Sequence, residues 1–178
     1  MFAVITGGSG SGKSRFAEAF LQELCPGEKI YLATMQFLDE EMKERIQRHR
    51  QMRAGKQFVT IEQGMGLHKL LLPSCEKTAK GLLLECMSNL IANEMYDEYA
   101  EKKDASEEEL AEYILRGIKN LRDQTEHMVI VTNELFSEPT MFEETKRYRK
   151  IFGIVNQHLA KEADTVIEVV YGIPVKIK

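Results

Sequence analysis

The stretch that decides the fold is FAVITGGSGSGKS, residues 2–14. Its first five residues form a short apolar run, typical of a buried β-strand. The glycines that follow allow backbone amides to turn inward around an anion without a clash from Cβ atoms. The last eight residues match the phosphate-loop pattern G-x-x-x-x-G-K-[ST], which predicts binding of a nucleoside triphosphate. The loop residues are Gly7, Gly8, Ser9, Gly10, Ser11, Gly12, Lys13 and Ser14.

Two side chains of this loop have separate predicted roles. We expect Lys13 to be catalytic, reaching the β- and γ-phosphates, and we expect the Ser14 hydroxyl to ligate Mg²⁺. Residues 15–21 continue with the spacing of an amphipathic helix. The phosphates would therefore lie at a helix N-terminus, where free amides and the helix dipole favour negative charge.

Composition indicates an ordinary globular chain. With 178 residues, 43% hydrophobic and 29% charged, we expect one domain spanning residues 1–178. The net charge of −4 argues against a general nucleic-acid binder. Cys25, Cys75 and Cys86 lack metal-site spacing, which favours free thiols in a reducing compartment. We expect a cytoplasmic protein, because the chain enters a strand directly and no apolar run is long enough to span a membrane.

Strands and helices alternate along the rest of the chain, which predicts an α/β three-layer sandwich with a mostly parallel sheet, like that of P-loop NTPases. The last two strands flank Tyr171-Gly172 and are expected to form an antiparallel hairpin at a sheet edge, where Pro174 is tolerated. Strands after the first are predicted at 29–34, 58–61, 81–84, 128–131, 165–170 and 173–177. Helices after the first are predicted at 39–53, 67–72, 88–102, 106–125 and 140–161.

Polar residues close several of these strands. In open α/β sheets, ligands bind beyond the carboxyl ends of the strands, and Thr34, Glu85 and residues 132–134 stand at such ends. A carboxylate that ends an apolar strand in a phosphate-loop protein usually holds Mg²⁺ or its water, or orients the nucleophile. We predict that catalytic role for Glu85, with a solvated strand-end acid as the alternative. Glu134 fits either interpretation equally well.

His49 lies in an arginine-rich segment. Arg45, His49 and Arg53 fall on one face of the predicted helix, and Arg48 and Arg50 flank the histidine. Guanidinium groups bind phosphate with two hydrogen bonds, and a neutral imidazole beside them can attack phosphorus to form a phosphoramidate. From spacing alone, a solvated basic face with a chance histidine is the preferred interpretation.

A family resemblance changes that preference. The chain resembles the bifunctional adenosylcobinamide kinase/adenosylcobinamide-phosphate guanylyltransferase family of cobalamin biosynthesis. The resemblance runs along nearly the whole chain, and its most specific parts are the histidine-bearing segment and the C-terminus. The matching segments are 6–15, 31–34, 45–50, 83–86 with Asn93, 131–134, 155–157 with Asp164, and 172–176.

The resemblance implies a two-step enzyme. It would phosphorylate adenosylcobinamide with ATP or GTP, and a histidine would then carry GMP from GTP to the new phosphate, giving adenosyl-GDP-cobinamide. That histidine falls on His49. Family members are homo-oligomers, often trimers, so a trimer is the favoured expectation. Besides the phosphate loop, the nucleotide contacts that the resemblance implies are Ala33, Thr34, Met35, Arg50, Gln51, Met52, Arg53, Glu62 and Glu85.

Two segments depart from the family pattern. Residues 135–139 replace a glycine-containing loop, and residues 53–62 lack a proline and a tryptophan and carry one extra residue. The alternatives are an enzyme that retains only guanylyl transfer, a phosphate-loop kinase for another alcohol, and a non-catalytic nucleotide-binding switch protein. Turnover and a covalent nucleotide adduct distinguish the switch from the enzymes.

Overall fold

The computed structural model describes residues 1–35, 58–73, 81–134 and 141–178. The helix predicted at 39–53 lies outside the described residues. The strands are β1 (Phe2–Thr6), β2 (Lys29–Ala33), β3 (Phe58–Glu62), β4 (Gly81–Glu85), β5 (His127–Val131), β6 (Thr165–Val170) and β7 (Ile173–Lys176). The helices are α1 (Lys13–Leu24), α2 (Met87–Tyr96), α3 (Glu107–Asp123) and α4 (Glu143–Glu162), with a 3₁₀ turn at Leu67–Lys69.

The strands form one sheet in the order β3-β2-β4-β5-β1-β6-β7. All neighbouring pairs are parallel except β6 and β7, which are antiparallel. This confirms the predicted mostly parallel sheet with a C-terminal hairpin. Because β1 lies between β5 and β6, the loop that follows β1 has β4 and β2 to one side and the hairpin to the other.

Two separate hydrophobic cores cover the two faces of the sheet. Side chains such as Leu84 and Ile130 point to the face covered by α2, α3 and α4. Their neighbours Leu83 and Val131 point to the opposite face, against Ala17 and Leu21 of α1. Strands that are buried on both faces read as continuous apolar runs, as residues 82–84 do. The predicted three-layer sandwich is confirmed.

Two helix predictions were wrong. The helix expected at 88–102 ends at Tyr96, where the Asp97 side chain accepts a hydrogen bond from the Tyr99 amide (2.9 Å) and offers the backbone an alternative to the helix. The helix expected at 67–72 is only a 3₁₀ turn at Leu67–Lys69. Its carbonyl groups instead accept hydrogen bonds from the Asn120 and Gln124 side chains of α3. None of the helices in the described ranges is long and apolar enough to cross a membrane.

Candidate nucleotide-binding site

The phosphate loop joins β1 to α1 through residues that must be glycine. Gly10 and Gly12 have φ values of 73° and 90°, a backbone region that side chains with a Cβ rarely adopt. A Cβ on Gly7 would lie 2.5 Å from the carbonyl oxygen of Val169. In the part of the chain that the structure describes, no side chain caps the start of α1. The first amides of α1 are therefore available to an anion.

Lys13 is held inside this loop. Its side chain is largely buried, with 9% of the residue exposed, and the ammonium group donates a hydrogen bond to the Gly8 carbonyl oxygen (3.0 Å). A buried ammonium group needs strong acceptors. Phosphate oxygens supply such acceptors, so the position of Lys13 suits the predicted contact with a triphosphate.

Ser14 and Glu85 were predicted separately, and the structure brings them together. The Ser14 hydroxyl donates a hydrogen bond to Oε1 of Glu85, and the Tyr31 hydroxyl donates to Oε2 (2.8 Å). Both oxygens of this carboxylate are thus fixed, one from α1 and one from β2. Sequence reasoning missed Tyr31, although a tyrosine in a buried strand needs a partner for its hydroxyl.

The same pair fits Mg²⁺. A hydroxyl oxygen and a carboxylate oxygen in contact are the hard oxygen ligands that this ion prefers, and Mg²⁺ usually takes its remaining ligands from water and substrate phosphates. Ser14 and Glu85 are therefore the residues that would hold the ion. They lie where the loop meets β4, beside Lys13.

Three predicted nucleotide contacts form one row across neighbouring strand ends. Glu62 of β3 pairs in register with Ala33 of β2, and Ala33 pairs with Glu85 of β4. Parallel strands place these residues at the same edge of the sheet, on the β4 side of the phosphate loop.

Thr34 has a structural role within that region. It is completely buried (0% exposed), and its hydroxyl donates to the Cys86 carbonyl and accepts from the Cys86 amide, both at 2.8 Å. Its amide donates to the Glu85 carbonyl (3.0 Å). The segment 33–35 stays a predicted nucleotide contact. Ala33 and Met35 are its accessible members, and Thr34 joins them to β4.

Two neighbouring residues of α2, which we call the α2 clamp, fix the ends of β2 and β3. The Asn93 side-chain amide donates to the carbonyl oxygens of Thr34 (2.8 Å) and Gly64 (2.9 Å). Oε1 of Glu94 accepts from the Gly66 amide (2.8 Å). Glu94 is 2% exposed, and this burial raises the pKa of its carboxyl group. Sequence reasoning did not single out Glu94, although an acid on an apolar helix face is a signal for a buried polar contact.

Further polar groups border the loop at the ends of β4 and β5. The Asn133 amide donates to the Ser88 hydroxyl (2.6 Å), which lies 2.9 Å from the Cys86 sulfur. The Tyr148 hydroxyl donates to the Ser88 carbonyl (3.2 Å), and burial raises the pKa of that phenol. The Glu134 amide donates to the Gly7 carbonyl (3.3 Å). The predicted strand-end segment 132–134 therefore does adjoin the phosphate loop.

The remaining predictions lie outside the described residues or concern cysteines. The described ranges do not include His49 or residues 50–53, so those assignments stay predictions. Cys25 is buried, with its thiol donating to the Glu28 carbonyl oxygen (3.9 Å), Cys86 is half-buried, and Cys75 is not among the described residues.

A phosphate loop with a buried lysine, followed by a serine in contact with a strand-end carboxylate, defines a nucleoside-triphosphate-binding enzyme of the P-loop class. A profile of the family described as cobinamide kinase / cobinamide phosphate guanyltransferase matches residues 3–177. The chain belongs to this family. It is therefore a bifunctional kinase and guanylyltransferase of adenosylcobalamin biosynthesis, with nucleotides among its substrates.

Two individual proteins and one solved structure are among those to which the chain is similar. The bifunctional adenosylcobalamin biosynthesis protein CobU of Escherichia coli (strain K12) is 36% identical over 189 residues, covering 100% of both chains. The corresponding protein CobP of Pseudomonas aeruginosa is 29% identical over 177 residues, covering 98% of this chain and 96% of that protein. The flagellar accessory protein FlaH from Methanocaldococcus jannaschii superposes with a TM-score of 0.46 at 17% identity, over 99% of this chain and 77% of that one.

Proposed function

We propose that the chain carries out both reactions at one phosphate loop. It first phosphorylates the hydroxyl group of adenosylcobinamide with ATP or GTP, and it then transfers GMP from GTP to the new phosphate through a GMP-histidine intermediate at His49. The observation that carries the proposal is the contact of Ser14 with Glu85 beside Lys13, at one end of the row formed with Ala33 and Glu62.

In the kinase step, the substrate hydroxyl oxygen attacks the γ-phosphorus, and its proton passes to solvent water. The bond from the γ-phosphorus to the bridging oxygen breaks, and ADP or GDP leaves. Lys13 stabilises charge on the phosphate oxygens. Ser14 and Glu85 would hold Mg²⁺, and the alternative role of Glu85 is to orient the attacking hydroxyl. When bound, Mg²⁺ neutralises charge on the phosphate oxygens. Tyr31 keeps the Glu85 carboxylate in place through its hydrogen bond.

In the guanylyl step, an imidazole nitrogen of His49 attacks the α-phosphorus, and the bond to the β-phosphate breaks. Pyrophosphate leaves, stabilised by Lys13 and by Arg50 and Arg53. A phosphate oxygen of the phosphorylated corrinoid then attacks the same phosphorus, and the phosphorus–nitrogen bond breaks. Histidine suits this role because its phosphoramidate forms and breaks near neutral pH, where the imidazole is largely uncharged.

The assembly and location of the enzyme are part of the same proposal. The family resemblance supports a homo-oligomer, with a trimer favoured, and a cytoplasmic enzyme. Sedimentation of the purified chain measures the first point. A mass near 20.4 kDa, that of one chain, at micromolar concentration would contradict it.

The test is retention of nucleotide on the protein. Incubation with Mg²⁺ and GTP labelled at the α-phosphate should label the chain, whereas GTP labelled at the γ-phosphate should not. The bond should be labile in acid and stable in alkali. His49→Ala should remove the label but retain GTP binding through the phosphate loop.

His158→Ala is the matched control, because His158 is exposed on α4, and it should label like the wild type. Labelling of the His49→Ala protein would show that another residue is the nucleophile. A wild-type protein that never labels would contradict the guanylyl step and favour a plain phosphate-loop kinase.

A further inference from the structure

The turn of the C-terminal hairpin rests against the phosphate loop. The Gly172 amide donates a hydrogen bond to the Ser11 carbonyl oxygen (2.8 Å). A Cβ on Gly12 would lie 3.6 Å from the Gly172 Cα atom, and a Cβ on Gly7 would lie only 2.5 Å from the Val169 carbonyl oxygen. The hairpin therefore packs against the backbone of the phosphate loop on the side away from Glu85.

Tyr171 is an unusual residue for this turn. Val170 pairs with Ile173, so Tyr171 and Gly172 are the two residues of the turn, with φ values of 52° and 81°. Both values are those of a type I′ turn, in which asparagine or aspartate commonly precedes glycine. Among the described residues, Tyr171 is the one non-glycine residue with positive φ. A bulky residue in that conformation is strained.

Packing against the described residues does not offset this strain. Tyr171 is 95% exposed, although its backbone is one residue from the hydrogen bond that ties the turn to Ser11. A strained, exposed aromatic residue beside a phosphate loop is a candidate for ligand contact, because strain of this kind is commonly retained at functional sites.

We propose that Tyr171 is a stacking platform for the purine base of the nucleoside triphosphate that donates its γ-phosphoryl group. Planar aromatic side chains stack on any base, because every base has a π-face. The proposal rests on the kinase half of the proposed function. It assigns a nucleotide contact on the hairpin side of the loop, away from the row that contains Ala33 and Glu85.

The two reactions need opposite ends of a triphosphate. With the base on Tyr171, the chain of phosphates crosses the loop and places its γ end near Ser14 and Glu85, where an acceptor hydroxyl can attack. In guanylyl transfer the α-phosphorus reacts, and the family resemblance places the nucleotide contacts at segment 33–35 and Glu62, on the other side. One phosphate loop would thus serve two base positions.

The chain contains no tryptophan, so Tyr171→Trp introduces a single tryptophan, whose emission can be excited separately from that of the tyrosines, and retains an aromatic ring. Titration with an ATP analogue that has a β,γ-imido bridge should quench its emission, with the dissociation constant that calorimetry gives. Inorganic tripolyphosphate should bind without quenching, because it lacks a base. Tyr99→Trp is the matched control, since Tyr99 is 77% exposed in the turn after α2, and it should show no quenching.

A second variant separates stacking from turn formation. Tyr171→Asn removes the ring but favours the type I′ turn, so the melting temperature should stay equal or rise. The dissociation constant for the ATP analogue should nevertheless increase about tenfold, as loss of one base–aromatic stack predicts. Tyr171→Phe should bind like the wild type. A purely structural tyrosine predicts the opposite pattern, a lower melting temperature with unchanged affinity.

Several outcomes would overturn the proposal. One is calorimetric binding of the analogue to the Tyr171→Trp protein without quenching. Another is a blue shift of its emission with protein concentration and no nucleotide, which would make the hairpin a contact between copies of the chain. Absence of analogue binding to the wild type would contradict both this proposal and the phosphate-loop assignment. Failure of His49 labelling alone would contradict only the guanylyl step, because the titration needs no turnover.

Discussion

The two sides of the phosphate loop are built by different means. On the β4 side, side chains fix a charge: the Glu85 carboxylate accepts hydrogen bonds from Ser14 and Tyr31. On the hairpin side, backbone atoms fix a shape, through the Gly172 amide on Ser11 and the close approach of Gly7 to Val169. A site that transfers phosphoryl groups needs both, since charge stabilises the reacting phosphates and shape sets the position of the loop. Mutations on the β4 side should therefore mainly reduce catalysis, whereas mutations on the hairpin side should also reduce stability.

Lys13 lies in the loop between the two sides, and loss of its side chain should reduce nucleotide binding more than any other change proposed here. Lys13→Ala takes away the buried ammonium group but leaves the backbone of the loop unchanged. Affinity for Mg²⁺-GTP should fall by roughly 100-fold or more, because charge-assisted hydrogen bonds to phosphate are lost. Calorimetry measures the affinity, and circular dichroism checks the fold. Lys119→Ala, on the exposed face of α3, is the control, and equal affinities for the two variants would contradict the phosphate-loop assignment.

On the β4 side, Glu85→Gln should affect chemistry more than binding. Glutamine keeps the size of the side chain and can still accept a hydrogen bond from Tyr31, but the negative charge is lost. The kinase rate at saturating Mg²⁺ should fall about 100- to 1,000-fold, as when a positioned group in a transition state is removed. Tyr31→Phe should give a smaller loss, because it frees the carboxylate without neutralising it.

Glu134→Gln is the comparison for Glu85. Glu134 is also a strand-end acid, but it is exposed. The Glu134→Gln variant should therefore change the rate less than Glu85→Gln does. Wild-type rates for Glu85→Gln would mean that Glu85 is only a solvated strand-end residue.

On the hairpin side, Gly7→Ala should affect stability as well as activity. The new Cβ would lie 2.5 Å from the Val169 carbonyl and 2.7 Å from the Ser11 hydroxyl, so the loop and β6 must move apart. Overpacking of this kind costs about 1–3 kcal/mol. Thermal unfolding measures the loss of stability. Gly8→Ala is a close control, because no atom of the described residues lies within 4 Å of its Cβ position. Equal melting temperatures for the two variants would show that the hairpin adjusts freely.

The fold was predictable to the extent that its signals are local. Residues 82–84 and 128–131 were predicted as buried strands because a short, continuous apolar run is a signal that lies wholly within the segment itself. The end of α2 was missed because competition from the Asp97 side chain outweighs the helical pattern that continues beyond it. The 3₁₀ turn at Leu67–Lys69 was missed because the carbonyl groups of Leu67 and Leu70 accept hydrogen bonds from side chains of α3, more than 50 residues further along the chain.

The same division applies to the site. Lys13 and Ser14 follow from a motif, and Glu85 follows from its place at the end of an apolar strand. Tyr31 and the α2 clamp did not follow, because their contacts depend on the register of strands that are distant in sequence. Tyr171-Gly172 was correctly predicted as a turn between two strands. Its contact with Ser11 depends on β6 lying beside β1, and a single segment does not specify that order.

The smallest expected effect concerns the α2 clamp on the β4 side, and it is a dependence on pH. Burial raises the pKa of Glu94 above its usual value of 4.5, with the negative charges of Glu101 and Asp97 adding to the shift and the Gly66 amide opposing it. Tyr113 faces the same acid, and burial raises its pKa to about 12, so it stays neutral. Because the folded-state pKa of Glu94 is raised, its protonated form contributes stability below pH 4.5, and that contribution is lost as the pH rises through the folded-state value.

Glutamine does not titrate, so the melting temperature of Glu94→Gln relative to the wild type should increase between pH 4 and pH 8. Glu112→Gln, an exposed acid on α3, should show no such trend in parallel melts. A difference between Glu94→Gln and the wild type that stays constant over this range would mean that Glu94 remains ionised in the fold, and that the β4 side tolerates a buried charge beyond Glu85.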